Sequence, residues 1–235
     1  MITTAALIEK FKYALENKWG YIWGTAGEKW TEAKQKALEK TTDADRAQGR
    51  KYGSKWIGHM VADCSGLFSW AFKQLGGYMY HGSNTMYLKY CNAKGELKKG
   101  NRTDGHELKP GTAVFHWNGS TYSHVGLFIG GGEVIEAANT QQGVIKSKVT
   151  ETKWDHWGEL VDVQYKDPEP IPAGYAEVTG TKVALRADPS TSAKVIMRIN
   201  TGERVKLEEP PPEKWDYVSY NGKKGWMMSK FLKEG

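Results

Sequence analysis

Apolar residues recur at helical spacing in two parts of the chain. The first set lies near the N-terminus: Leu7, Ile8, Phe11 and Leu15. The second set follows the stretch "DCSG": Leu67, Phe68, Ala71, Phe72 and Leu75. Intervals of three and four positions place each set on one face of an amphipathic helix. We therefore predict two helices, the second starting at Cys64 and ending at Gly76-Gly77, a pair typical of a helix C-terminus.

Strand patterns follow in the middle of the chain. Apolar runs with partial alternation occur in "TAVFHW", "YSHVGLFIG" and "EVIEAA". Asn118-Gly119 and the run Gly130–Gly132 separate them, and such residues favour tight turns. The three runs predict successive antiparallel strands. Helices followed by a hairpin sheet predict an α+β domain, with helices packed on an antiparallel sheet.

Two stretches carry weaker patterns. The charged segment from Glu28 to Trp56 is mostly helical by propensity. The region from Gly77 to Pro110 shows no sustained periodicity, and we expect it to be rich in loops.

A proline-rich segment divides the chain. "KDPEPIPAG", residues 166–174, has three prolines in nine positions, which prevent regular structure. Residues 175–235 then show short alternating runs separated by turn signals at Asp188-Pro189, Thr201-Gly202, Pro210–Pro212 and Asn221-Gly222. We expect a first domain over 1–165, a linker over 166–174 and a small β-barrel over 175–235.

Charge and composition indicate which kinds of molecule the protein could bind. The net charge is +6, from 33 Lys and Arg against 27 Asp and Glu, and it is spread along the chain. A distributed positive charge suits an acidic polymer surface such as a bacterial wall, whereas nucleic-acid binding would need a cluster that we do not find. The ten tryptophans suit either sugar- or peptide-binding grooves or the core.

Membrane insertion and secretion signals are not indicated by the sequence. No run approaches the roughly 20 apolar residues that a membrane-spanning helix needs. The N-terminal residues lack the basic start, apolar core and cleavage site of a secretion signal. We expect no membrane insertion and no signal peptide in this chain.

Cys64 is the first candidate for chemistry. Asp63 is a favourable N-cap, so Cys64 falls in the first turn of its helix, where free N–H groups favour a thiolate. The alternative is a buried structural cysteine at the end of the apolar face, or a bridge to Cys91. Neither cysteine belongs to a C-x-x-C pair, which argues against a zinc or thioredoxin-type site.

A nearby histidine that could act as a base would favour a nucleophilic role for Cys64 over a structural one. Four histidines lie in polar or irregular segments and are expected at the surface: His59, His81, His106 and His156. His116 and His124 lie on predicted strands. His124 shares a strand face with Gly126 and Phe128, and we expect this face to lie against the end of the Cys64 helix. Alternatively, His124 is a structural residue at the margin of the sheet, with its hydrogen bonds made to neighbouring groups.

The residue that would orient His124 depends on the register of the hairpin formed by the second and third predicted strands. A turn centred on Gly130 places His124 opposite Glu136, whereas a two-residue turn at Gly131-Gly132 places it opposite Asn139. Either side chain would accept from Nδ1–H and leave Nε2 for the thiol proton. Turn chemistry favours the two-residue turn, so the residues leave both partners open.

Four motifs in order now identify a resemblance. "YIWG", "DCSGLFSWAF", "LKPGTAVF" and "SHVGLFIGGGEVIEA" resemble the motifs of the NlpC-type cell-wall cysteine peptidases, over about residues 21–137. The resemblance implies a papain-like fold, no metal or other cofactor, and a Cys–His–polar triad. It assigns the nucleophile to Cys64, the base to His124 and the polar position to Glu136, with Asn139 second.

The resemblance also implies a substrate, bacterial peptidoglycan. Such enzymes hydrolyse the bond from γ-D-glutamate to diaminopimelate or lysine in its stem peptides. Tyr21, Asp63 and Ser65 correspond to residues that hold the amino end of the substrate, and Asp63 would pair with the free amine of L-Ala. Residues 25–62 depart from the family by their length, and we expect them to form a wall or lid beside the groove.

The C-terminal part resembles a bacterial SH3-like domain, a common wall-binding module. The motifs are "VALRADPSTSAKVI", "GERVKL" and "WDYVSYNGKKGWMMSKFL". Four aromatic residues would offer a ligand surface: Trp215, Tyr217, Tyr220 and Trp226. Alternatively, Trp215 and Trp226 belong to the barrel core, which we favour for Trp226.

These expectations define one function and its rivals. We expect a monomeric thiol hydrolase of peptidoglycan that acts at the bacterial cell wall, and a phage or prophage lysin rather than a housekeeping enzyme. The first rival is an N-acetylmuramoyl-L-alanine amidase with the same Cys–His pair. The second is a catalytically silent wall-binding protein.

Overall fold

The computed structural model describes residues 2–165, 171–180, 182–200, 203–209 and 214–234. The chain divides into two units, Met1–Tyr165 and Lys166–Gly235. Residues 166–170 of the predicted linker lie outside the described residues, as do the predicted breaks at 201–202 and 210–212. Within the described part of the chain, no helix has the length and apolar character needed to cross a membrane.

Both predicted helices are confirmed. The first is α1, Thr4–Glu16, which buries Leu7, Ile8 and Phe11. The other helices of the first unit are α2 (Glu32–Glu39), α3 (Ala47–Tyr52), α4 (Cys64–Gln74) and α5 (Ser83–Lys89), with 3₁₀ turns at Ala44–Arg46 and Gly53–Trp56. Helix α4 ends as predicted, since Gly76 has a positive φ of 75° that glycine tolerates best.

An antiparallel sheet of seven strands forms the other layer. Its strands are β4 (Cys91–Lys98), β5 (Asn101–Arg102), β6 (Ala113–Trp117), β7 (Tyr122–Gly130), β8 (Glu133–Asn139), β9 (Gly143–Lys148) and β10 (His156–Leu160). Their spatial order is β5-β4-β10-β6-β7-β8-β9. Two small sheets pair β1 (Ile2–Thr3) with β11 (Val163–Gln164) and β2 (Ala26–Lys29) with β3 (Met60–Ala62). The predicted α+β class is confirmed.

The two faces of the sheet bury different sets of side chains. Val125 and Leu127 of β7 pack in one cluster with Leu67 and Phe68 of α4. Phe128 belongs to a separate cluster on the other face. The prediction that Phe128 shares the face turned toward α4 is therefore wrong, because the helix covers the side of β7 that carries Val125, Leu127 and Ile129, where burial is most favourable.

The loop-rich prediction for 77–110 is also wrong. This region contains α5, β4 and β5. Strand β4 reads "CNAKGELK", and Asn, Lys and Gly are poor strand formers. It is a strand because its residues from Cys91 to Glu96 pair with β10, a contact that is remote in sequence.

Residues 25–62 hold a small core of their own. One cluster joins the apolar side chains of this segment and its flank: Ile22, Trp30, Leu38, Trp56 and Val61. Helices α2 and α3 lie here as propensity indicates, whereas strand β2 was not predicted. The segment thus has internal packing of its own.

The second unit contains only short strands and one 3₁₀ turn, Ser229–Phe231, in its described residues. The strands are β12 (Tyr175–Val178), β13 (Val183–Arg186), β14 (Val195–Ile199), β15 (Arg204–Glu209), β16 (Trp215–Tyr220), β17 (Lys223–Met228) and β18 (Leu232–Glu234). They form one antiparallel sheet in the order β14-β13-β17-β16-β15-β12-β18.

Trp226 is not in the core of this unit. The alternate residues Gly225 and Met227 are buried, while Trp226 is half-buried and stacks on Tyr217 with ring centroids 4.9 Å apart. Our preference for Trp226 as a core residue is therefore wrong, because period-two alternation turns its ring to the outer face. Trp215 is likewise half-buried and outside the core cluster.

Candidate active site

Cys64 lies where the sequence placed it, at the start of α4. The N-cap is confirmed, since Asp63 Oδ1 accepts a 2.7 Å hydrogen bond from the backbone N–H of Gly66. Both cysteines are free thiols, and Cys64 is 8% exposed. It borders a cleft of about 370 Å³ lined by the Tyr21–Gly24 segment, the start of α4, the His81–Ser83 segment and Ser123.

Gly66 allows the chain at Thr25, directly after the cleft-lining segment Tyr21–Gly24, to approach the helix. A Cβ at this position would overlap the backbone carbonyl oxygen of Thr25. That same oxygen accepts from Asp63 N at 2.9 Å, and Gly24 N donates to Asp63 Oδ2 at 2.8 Å. A glycine is required at position 66 because the backbone of the helix is in direct contact with the backbone of Thr25. The contact brings Tyr21 to the same cleft as Cys64.

His124 and Glu136 are hydrogen-bonded, with 2.7 Å between His124 Nε2 and Glu136 Oε2. Neither predicted register is correct. Leu127 pairs with Ile135, and a bulge between Phe128 and Gly130 shifts the register before the Gly131-Gly132 turn. Extended from Leu127–Ile135, the pairing places Glu136 opposite Gly126, so its carboxylate reaches His124 diagonally, within the reach of a long side chain.

The orientation of the imidazole corrects one prediction. We expected Nδ1 to donate to the carboxylate and Nε2 to face the thiol. Nε2 is instead the nitrogen held by Glu136. This leaves Nδ1 of His124 to interact with Cys64, which contributes to the raised pKa of His124.

Asn139, the other candidate partner, is engaged elsewhere. Its Nδ2 donates to Gln142 Oε1 at 2.6 Å, and its Oδ1 accepts from the backbone N–H groups of Gln141 and Gln142. These bonds organise the turn after β8. The structure therefore brings Glu136, and not Asn139, to His124.

The charges of His124 and Glu136 stabilise each other. Burial lowers the pKa of His124, but its hydrogen bond and charge interaction with Cys64 and with Glu136 raise it to about 9. Burial raises the pKa of Glu136, but the hydrogen bonds from His124 and Lys153 outweigh this and bring it to about 2. At neutral pH the site therefore holds an imidazolium beside an ionised carboxylate.

Lys153 and Trp154 complete the surroundings of His124, and the sequence did not reveal them. Lys153 Nζ binds Glu136 Oε1 at 2.5 Å. The buried ring of Trp154 stacks on the imidazole with centroids 5.5 Å apart. Gly126 makes room for that ring, since a Cβ there would lie 2.9 Å from the Trp154 Cη2 atom. No spacing signal marks "TKWD", because the contact arises only from the fold.

Tyr21, Asp63 and Ser65 all border the cleft. Burial, followed by the charges of Cys64 and Asp63, raises the pKa of Tyr21, so this phenol stays protonated. Ser65 Oγ donates to Asp63 Oδ1 at 3.2 Å. Ser65 and Asp63 are thus hydrogen-bonded to each other beside Cys64, and Tyr21 borders the same cleft.

One of the four histidines predicted at the surface, His156, is half-buried, whereas His81 is exposed as predicted but also has a polar partner. His81 Nε2 lies 2.7 Å from Asp63 Oδ2, and the His81 side chain is 33% exposed. His156 lies on β10, is 18% exposed and contacts Asp155. His59 and His106 are exposed as expected. His116, on β6, also binds Asp155, at 3.1 Å.

The charged segment 25–62 contributes no lining residue to this cleft. It meets the rim where the Arg46 guanidinium lies 5.7 Å from the centre of the exposed Trp23 ring. The predicted wall is thus formed by the flanks of the segment and not by the segment itself. Among the described residues, no group of three or more His, Cys, Asp or Glu side chains is placed to hold a metal ion.

Comparisons with known proteins fit this geometry. Residues 48–161 match the NlpC/P60 family, and residues 181–233 match the bacterial SH3 domain. Probable endopeptidase p60 of Listeria grayi is 32% identical over 95 residues, which cover 40% of this chain and 17% of that protein. A probable endopeptidase of Corynebacterium glutamicum is 33% identical over 99 residues, or 42% of each chain. The chain thus spans less than half the length of these relatives.

Solved structures give more distant likenesses. The peptidoglycan hydrolase RipB of Mycobacterium tuberculosis is 20% identical with a TM-score of 0.42, over 68% of this chain and 65% of that one. The NlpC/p60 domain of the peptidoglycan hydrolase SagA is 18% identical with a TM-score of 0.42, over 67% and 98%. Cys64, His124 and Glu136 all lie within the segment matched by sequence. The two family matches assign residues 48–161 to an NlpC/P60 family domain and residues 181–233 to a bacterial SH3 domain.

Proposed function

We propose that this chain is a cysteine peptidase that hydrolyses the γ-D-glutamyl bond to the third residue of peptidoglycan stem peptides. The observation that carries the proposal is that Cys64 lies at an open cleft and interacts with His124, whose Nε2 is hydrogen-bonded to Glu136. A nucleophile, a base and a group that orients the base form the pattern of covalent catalysis. Membership of the NlpC/P60 family and relatives named as probable endopeptidases support the reaction class.

The proposed reaction passes through a thioester. The Cys64 thiolate attacks the γ-carbonyl carbon, and the backbone N–H of Cys64 at the helix N-terminus stabilises the oxyanion. His124 Nδ1–H gives its proton to the leaving amine as the C–N bond breaks. Water, deprotonated by His124, then hydrolyses the thioester and restores the thiolate. Glu136 holds the imidazole and stabilises its charge throughout.

The wall beside Cys64 would receive the amino end of the substrate. Tyr21, Asp63 and Ser65 line the same cleft. The protonated phenol of Tyr21 can donate to a carbonyl, and Ser65 is already oriented by Asp63. This part of the cleft would hold the L-Ala–D-Glu portion of a stem, with the scissile bond over the sulfur.

We propose that the SH3 domain binds the bacterial cell wall, where this hydrolase would act. A groove of about 220 Å³ in this unit is lined by Lys182, Arg186, Arg198 and Trp215, among others. Cations beside an aromatic ring suit an anionic wall polymer. A weak binding site joined to the hydrolase would raise its local concentration at an insoluble substrate.

Replacement of Trp215 tests this role. Trp215→Ala should reduce the fraction of protein that sediments with purified cell walls, by about fivefold or more if the ring stacks on the ligand. Tyr175→Ala is the matched control, because Tyr175 is an exposed aromatic residue outside the groove. Equal sedimentation of Trp215→Ala and the wild type would contradict the assignment.

A digest of purified peptidoglycan tests the proposed reaction. We expect mass spectrometry to detect new L-Ala-γ-D-Glu ends, and EDTA to leave their release unchanged, because the proposed steps need no metal. Intact stem peptides freed from muramic acid would instead indicate the amidase. Binding to walls without any release would indicate a silent wall-binding protein.

A further inference from the structure

The carboxylate of Asp63 has no free acceptor position in the described structure. Oδ1 accepts from Gly66 N at 2.7 Å and from Ser65 Oγ at 3.2 Å. Oδ2 accepts from Gly24 N at 2.8 Å and lies 2.7 Å from His81 Nε2. An ionised carboxylate offers about four lone-pair positions, so these partners saturate it. An incoming ammonium group would have to displace one of them.

His81 is the partner that can be displaced. Two of the other three are backbone N–H groups of packed segments, and the third belongs to the buried Ser65. His81 lies between α4 and α5, with its side chain 33% exposed at the cleft. Gly82 follows it with a φ of 156°, a conformation that suits glycine. The imidazole is therefore a hydrogen-bonded but accessible group.

The charge of His81 is coupled to Asp63. The hydrogen bond to Asp63 raises the pKa of His81, while burial opposes this rise. The other titratable groups that line the cleft with it are Tyr21, whose phenol stays protonated, and Cys64. A protonated His81 thus supplies the cation that balances the buried carboxylate.

We propose that His81 is a specificity-determining residue, whose imidazolium occupies the cation position of Asp63 and favours stem peptides with a blocked amino end. This inference rests on the proposed function. An L-Ala residue in amide linkage, as in a stem still attached to the glycan, carries no charge and leaves the His81–Asp63 pair intact. A free ammonium group must replace His81 and meets its positive charge. The preferred substrate class is therefore the attached stem, not the released peptide.

A pH dependence follows from the same competition. Loss of the His81 proton removes the competing cation but leaves the Asp63 carboxylate in place. Cleavage of free-amine peptides should therefore rise with pH relative to blocked peptides. The range from pH 5.5 to 7.5 is informative, because the α-amino group of the peptide, with an ordinary pKa near 8, stays mostly protonated there.

Paired substrates test the inference. The probes are L-Ala-γ-D-Glu-L-Lys and L-Ala-γ-D-Glu-diaminopimelate peptides, each with a free or an N-acetylated L-Ala. We expect the wild type to show the higher kcat/KM on the acetylated form, with a ratio that falls as pH rises. His81→Gln keeps a hydrogen-bond donor but has no charge, so the ratio should shift toward the free amine by at least about tenfold and lose its pH dependence.

The ratio of kcat/KM on the two peptides does not depend on how much of the protein is folded. Both peptides are measured on one preparation, so a lower folded fraction cancels. His106→Gln, at an exposed histidine outside the cleft, should behave like the wild type. An unchanged ratio in His81→Gln, with both peptides still cleaved, would overturn the role of His81 alone. If the wild type cleaves neither peptide and releases no L-Ala-γ-D-Glu ends from walls, the proposed function falls as well.

Discussion

Replacement of Cys64 by Ala is expected to lower kcat/KM on stem peptides by about 10⁴-fold or more, the loss typical of removing a catalytic nucleophile. The sulfur is the atom that would form the thioester, and no other thiol borders the cleft. Cys64 is 8% exposed and begins α4, so a smaller side chain leaves the helix and its cap in place. The measurement is the initial rate of amine release from a defined peptide.

Cys91 provides the matched control. It is the second free thiol, lies on β4 and donates to the Met86 carbonyl at 3.4 Å. Cys91→Ala removes a half-buried thiol from outside the cleft, and its kcat/KM should stay within about twofold of the wild type. Activity that survives in Cys64→Ala would rule out the thioester route. Comparable losses in both variants would point to a general effect on folding.

Replacement of Glu136 by Gln is expected to reduce kcat/KM by at least about a hundredfold, because the group that orients His124 would lose its charge. The side chain is fully buried between His124 and Lys153. An amide can still contact both, but it cannot balance two cations. Lys153 would then remain near the imidazolium and disfavour it.

The pH profile separates this role from simple destabilisation. In the wild type, activity should fall as pH rises through about 9, where His124 loses the proton that the leaving amine requires. Without the Glu136 carboxylate, that alkaline limb should move to lower pH. Glu133→Gln is the control, since Glu133 lies on the same strand and pairs with Lys146 at 2.8 Å away from the imidazole. An unshifted limb in Glu136→Gln would contradict the assignment.

The same ionisations contribute to stability in opposite pH ranges. The fold raises the pKa of His124, so its contribution is complete below the ordinary value near 6.5 and is lost as pH rises through about 9. The fold lowers the pKa of Glu136, so its contribution is complete above the ordinary value near 4.5 and is lost as pH falls toward about 2.

Local signals in the sequence were sufficient to predict many of the elements that carry this site. Asp63 before an apolar face at helical spacing predicted the cap and the start of α4, since both depend on neighbouring residues. The apolar runs around His124 and Glu136 predicted β7 and β8 for the same reason. The choice of Glu136 needed the family resemblance, because the residues themselves permitted Asn139.

Other features depend on contacts between remote segments. The bulge beside Gly130 changes the register of β7 and β8, and neither simple turn anticipates it. Trp154 and Lys153 reach the site from the segment after β9, and His81 reaches Asp63 from the segment before α5. Polarity correctly predicted a surface position for His81, but its contact with the buried carboxylate of Asp63 could not be read from local sequence.

The unequal environments of the two thiols have a practical use. Burial raises the pKa of Cys91 to about 12, so this thiol remains protonated and unreactive near neutral pH. An electrophile carried on a stem-peptide mimic would then modify one sulfur per functional molecule. The mass added to the protein would count competent enzyme in a preparation directly, without reference to turnover on an insoluble polymer.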